Sequence, residues 1–92
     1  MNKIESIKIT WEAGDEPDKM GVVAEATVSY SVGYNNRRLE TLSSGGLWGI
    51  DASITSPERD KFEEEQLHEL KEHLRRFNVD VRGFENIPVD SN

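Results

Sequence analysis

Between Val22 and Tyr34 the side chains alternate without a break. Val22, Ala24, Ala26, Val28, Tyr30, Val32 and Tyr34 share one parity, and Val23, Glu25, Thr27, Ser29 and Ser31 the other. A period of two over such a length is a strand with one dry and one wet face. An antiparallel sheet packed on one side is the setting for such a strand. The chain must therefore build a sheet, and another element must cover its apolar face.

The flanking segments fit that demand. From Ile4 to Trp11, Ile7, Ile9 and Trp11 fall on one side and Lys8 and Thr10 on the other, which predicts a first strand. Ala13 to Lys19 holds Gly, Pro and three acids and reads as an exposed loop. Gly33-Tyr34-Asn35-Asn36 supplies turn chemistry, so Arg37–Ser43 should return as a third strand. Leu39 and Leu42 there have opposite parity. Either a bulge intervenes or one leucine faces outward.

The cover is a helix. Ser56 is placed to cap it and Pro57 to open it. Acids crowd its start and Lys71, His73, Arg75 and Arg76 its end, which complements the helix dipole. Leu67, Leu70, Leu74 and Phe77 form one apolar stripe with Phe62 near its edge, and Asn78 is the expected C-cap. Val79 and Val81 flank Asp80 and leave room for a short fourth strand. The expectation is one α+β domain over residues 1–87, a three-stranded antiparallel meander packed on one long helix, in the order β-β-β-α-β. Residues 88–92, with Pro88 and Asp90-Ser91-Asn92, read as a frayed tail.

Composition narrows the function. The 92 residues carry 18 Asp and Glu against 11 Lys and Arg, a net charge of −7, which argues against a phosphate-backbone binder. No cysteine is present, which excludes disulfides, thiolate metal sites and cysteine nucleophiles. No apolar run is long enough to span a bilayer, and the Met1–Glu5 start shows no secretory signal, so a cytoplasmic location is expected.

The residues that could carry chemistry are few. Glycines surround Leu47 and Trp48 in Ser43–Asp51, but no Lys-Ser/Thr pair follows them, so this is no phosphate loop. One reading drops Leu47, Trp48 and Ile50 into the core through a tight turn. The other leaves Trp48 exposed as a docking anchor, with Leu47, Gly49, Ile50 and Asp51 as its binding segment. Glu64, His68 and Glu72 recur at i, i+4 and i+8, a row that could in principle take a divalent metal but reads as a solvated face. No nucleophile elbow, triad or facing carboxylate pair is marked, so no enzyme, cofactor or metal is expected. Glu63, Glu64, Glu65 and Glu72 form an acidic interaction face on the helix, and Asp15, Glu16 and Asp18 a second acidic cluster in the loop; if both lie on one side a basic partner could meet them, in one version as a mimic of nucleic acid. Homodimerisation is a further expectation, through the long Tyr30-Val32-Tyr34 strand if it lies at a sheet edge, or through the part of the sheet face that one helix leaves uncovered.

Two stretches together carry a resemblance. Leu42-Ser43-Ser44-Gly45-Gly46-Leu47-Trp48-Gly49-Ile50-Asp51 and Glu63-Glu64-Glu65-Gln66-Leu67-His68-Glu69-Leu70-Lys71 resemble short uncharacterised proteins of bacteria, prophages and other mobile elements. In that group a Gly-Leu-Trp-Gly-Ile-acid segment precedes a Glu/Gln/Leu-rich helix, and the likeness covers about residues 40–77. It implies that Leu47–Asp51 is a signature of the fold or its site, and a bacterial or phage source. It carries no activity. The expected function is a small acidic, non-catalytic protein-binding module. The alternatives are an acidic mimic that inhibits a basic DNA- or RNA-binding enzyme, and a weak metal-dependent enzyme or accessory subunit built on Glu64, His68 and Glu72.

Overall fold

A computed structural model of the chain describes residues 2–34 and 36–91. Asn35 of the expected turn, like Met1 and the terminal Asn92, lies outside the described residues. Strands β1 (Asn2–Ala13) and β2 (Lys19–Ser31) form a long antiparallel hairpin. Strands β3 (Arg37–Ser43) and β4 (Leu47–Asp51) both pair antiparallel with β2, end to end along its far edge. Helix α1 (Ser56–Arg76) then crosses over the sheet. Strands β5 (Val79–Asp80) and β6 (Val89–Ser91) run parallel to β1 on its other edge, with a 3-10 turn at Phe84–Asn86 between them.

The fold is α+β with one helix, as the periodicities predict. The sheet differs from expectation in two ways. Six strands are described instead of three or four, and the sheet is mixed instead of purely antiparallel. The mixing follows from the helix, because a crossover element returns the chain parallel to a strand it has passed. The additional strands had no alternation to announce them. Leu47–Asp51 is short, follows Gly45-Gly46 and contains Gly49. Residues 89–91, read from the sequence as frayed, are exposed yet lie in register with Ile7–Ile9. Their place comes from the backbone edge of β1 and not from buried side chains.

Parity holds where the helix covers the sheet. Val22, Ala24, Ala26 and Val28 are buried with Ile4, Ile7, Ile9, Ile50, Leu70, Leu74, Val79 and Phe84 in one core. A bulge between Ile4 and Ser6 lets Ile4 and Ile7 both face inward despite opposite parity. Beyond Val28 the cover ends, and Tyr34 is 94% exposed. In β3 the register is continuous, so no bulge resolves the leucine conflict. Leu42 pairs with Ala26 on the inner face, and Leu39 points outward.

The helix begins one residue earlier than expected. Thr55, not Ser56, is the N-cap: its hydroxyl accepts from the Glu58 N–H at 3.4 Å and donates to the Glu58 carboxylate at 3.0 Å. At the other end Phe77 is the C-cap, and Asn78 follows it with φ of 58°, a left-handed position that asparagine tolerates. Phe77 therefore leaves the stripe and stands 53% exposed. Gln66 is buried in its place among the stripe residues.

Candidate functional site

The Leu47–Asp51 segment is divided by a bulge. Pairing with β2 jumps from Met20 opposite Ile50 to Val22 opposite Leu47. Ile50 enters the core and Leu47 packs partly against it. Trp48 goes to the sheet's other face and remains 50% exposed. Its indole lies on Gly21, so closely that a Cβ at Gly21 would run into the ring. A Cβ at Gly46 would meet Trp48 Nε1 at 3.0 Å and Val23 Cγ2 at 2.9 Å. Gly46 and Gly49, with φ of 81° and 82°, turn the backbone where other residues would be strained. Asp51 folds back on its own turn: its Oδ1 accepts from the Ser53 N–H at 2.9 Å and hydroxyl at 2.8 Å. Those two bonds hold its carboxyl below the usual range, with Lys19 adding to the effect.

Beside Trp48 and Gly49 opens a cleft of about 490 Å³, lined further by Ala13, Gly14, Asp15, Glu16 and Lys19. The acidic loop that forms its rim is pinned. Gly14 N–H donates to Lys19 O at 2.9 Å, Lys19 N–H to Glu16 O at 3.1 Å, and Ala52 N–H to Asp18 O at 2.9 Å. An aromatic plate with carboxylates at its rim suits an amphipathic or cationic side chain of a partner. The loop and the Trp48 segment, over thirty residues apart in sequence, meet only because β4 pairs with the start of β2.

The acidic row on the helix is shorter than the sequence suggests. Glu63 stands two turns before Leu70 on the same face, so it turns toward the sheet. There its Oε2 lies 3.5 Å from Trp11 Nε1, while the Arg59 guanidinium sits 4.5 Å from the centre of the Trp11 ring. Glu72 pairs with Arg75 at 3.3 Å. Glu64 and Glu65 stay exposed. With His68 and Glu69 they border a shallow hollow of about 620 Å³ that reaches Ser44, Gly46 and Leu47. Of the four expected residues, Glu64 and Glu65 are exposed and Glu63 and Glu72 half-buried. Among the described residues no three His, Asp or Glu side chains are grouped to hold a metal ion, so Glu64, His68 and Glu72 do not converge.

Sequence reasoning missed two contributors, Gly21 and Ser44. Gly21 makes room for Trp48, and the only hint was a glycine inside a strand pattern, which often marks a close approach. Asp15 and Glu16, with Asp18, were legible as an acidic cluster that a basic partner could meet, but not their place beside Trp48. Ser44 bridges the break between β3 and β4. Its N–H donates to Ala24 O at 2.8 Å, its hydroxyl accepts from Ala24 N–H at 3.2 Å, and it donates to the buried Gln66 Oε1 at 2.8 Å.

Comparison with protein-family models, curated proteins and solved structures finds no match. No helix among the described residues is long and apolar enough to cross a membrane.

Proposed function

We propose that the protein is a non-catalytic binding module that docks a partner protein through Trp48 and the acid-rimmed cleft beside it. It would act in the cytoplasm of a bacterial or phage-infected cell, in keeping with the resemblance carried by the Leu-Trp-Gly-Ile-Asp segment. One observation carries the reading: Trp48 is half exposed, yet its ring is held against Gly21. A large apolar side chain that is already ordered loses little freedom on binding, and tryptophan is the residue most enriched at interface hot spots. The carboxylates of Asp15 and Glu16 on the cleft rim favour a partner surface with a basic or amphipathic side chain at the contact.

The test separates docking from folding. Trp48→Ala should abolish retention of the bound partner while lowering stability by only about 1–2 kcal/mol, less than full burial would cost. Both are read on one preparation, by affinity capture and by urea denaturation followed by circular dichroism. Undiminished capture by Trp48→Ala would sink the proposal, and a loss of stability near 4 kcal/mol would assign the ring to the fold instead.

A further inference from the structure

The free edge of β3 has a chemistry of its own. Among the described residues no strand lies beyond it. On the opposite edge of the sheet, β5 and β6 are two short pieces split by a 3-10 turn, which protects that edge from pairing. On the β3 side, β4 is likewise short and set off by glycines. Strand β3 runs seven residues without a bulge, proline or lysine. Of the common devices that keep an exposed edge from pairing it carries only charge, Arg37, Arg38 and Glu40.

Which backbone groups face outward follows from parity. At one end of β3, Ser44 N–H bonds Ala24 O, and at the other, Val32 N–H bonds Asn36 O. The even-numbered residues between them therefore turn their polar backbone groups toward β2. Arg37, Leu39, Thr41 and Ser43 turn theirs to the open edge.

The side chains select a partner. Arg38 and Glu40 pair with Tyr30 and Val28, so they share the inner face, and both are exposed. Leu39 is on the outer face and 60% exposed. Two copies of β3 can pair antiparallel about a two-fold axis only with residues of like parity opposite each other. An axis at Arg38 or Glu40 sets like charges face to face. An axis at Thr41 sets Glu40 against Leu42. An axis at Leu39 sets Leu39 on Leu39, Arg37 on Thr41, and Arg38 on Glu40 twice over. The Arg38–Glu40 positions then fall at non-hydrogen-bonded pairs, where cross-strand side chains stand closest.

We infer that β3 is the interface of a symmetric dimer, pairing antiparallel with β3 of a second copy about Leu39, with two reciprocal Arg38–Glu40 ion pairs setting the register. The sheet would become continuous across both copies. The charges are the decisive feature. A lone inward charge on an edge strand repels its own copy, whereas an opposite pair spaced by two complements it.

Light scattering on the intact chain tests this. The expected mass at high concentration is about twice the chain's 10.5 kDa. Arg38→Glu and Glu40→Arg should each give a single-chain mass, because each places like charges opposite one another. Mixing the two variants should restore the doubled mass, and so should the Arg38→Glu/Glu40→Arg double variant. Thr41→Pro should also give a single chain, because its N–H faces the open edge and is not needed by β2. If that proline disturbs the circular dichroism spectrum, the mixing experiment alone decides. A single-chain mass for the unmodified protein up to about 1 mM would overturn the inference. A doubled mass unaffected by the single reversals would also overturn it.

Discussion

Trp48 and Gly21 form one unit at the residue scale. The ring rests where a side chain is missing, and this contact keeps half of a large aromatic surface both ordered and exposed. Gly21 has no left-handed φ among the glycines that do, so alanine there is acceptable to the backbone. Its cost would come from the indole alone. Gly21→Ala should destabilise the protein by about 1–3 kcal/mol, the usual range for overpacking. In Trp48→Ala the same Gly21→Ala change should cost much less, since contacting residues are not additive. Urea denaturation of the four-member cycle measures the coupling, and additive costs would show that the ring does not rest on Gly21. The apolar character of Trp48 was legible in the sequence, but its side of the sheet was not. A bulge decides that, and bulges leave no periodic trace.

At the scale of elements, the helix was the most legible part. Its charge order, its Leu70 and Leu74 positions and its approximate ends all follow from local rules. Its first residue does not, because Thr55 and Ser56 are both capping types and serine is the better of the two. The extended backbone of Thr55 and the bond from Glu58 N–H make the choice. Thr55→Ala should therefore cost about 1 kcal/mol, and Ser56→Ala a few tenths at most, in thermal or urea unfolding. Equal costs would put the cap elsewhere. Strands β4 and β6 show the limit of pattern reading. Each is short and placed by a neighbour's free backbone, so neither needs an alternating apolar face. Glu63 shows the same limit on the helix. It reads as one of a run of solvated acids, but its angular position puts it under Trp11.

At the scale of the whole molecule, several carboxylates are held below their ordinary range, Asp80 by a local contact and Glu5 and Glu85 by contacts between different elements. Asp80 is held down to about 2 by the side chain of Arg82 and then by its N–H. Glu5 is lowered chiefly by the Ser29 hydroxyl, with Arg37 beside it, and Glu85 by its bond to Lys71. A depressed folded-state value stabilises the fold above the unfolded-state range and loses that contribution as the pH falls through the folded one. The urea midpoint should therefore be steady near neutrality and decline from about pH 4 toward pH 2. Asp80→Asn should flatten the last part of that decline, and a midpoint insensitive to pH over that window would contradict these contacts. The sequence alone determined an α+β chain with one helix covering the antiparallel strands β1, β2 and β3. Periods of two and 3.6 and the order of charges are local properties, readable wherever they occur. Only the tertiary structure decided that the sheet gains β4 and β6 and becomes mixed, that the acidic loop meets Trp48, and that Glu63 turns toward Trp11. Those outcomes depend on which backbone edges remain free after the hairpin and helix have packed, a property of the whole arrangement and of no single segment.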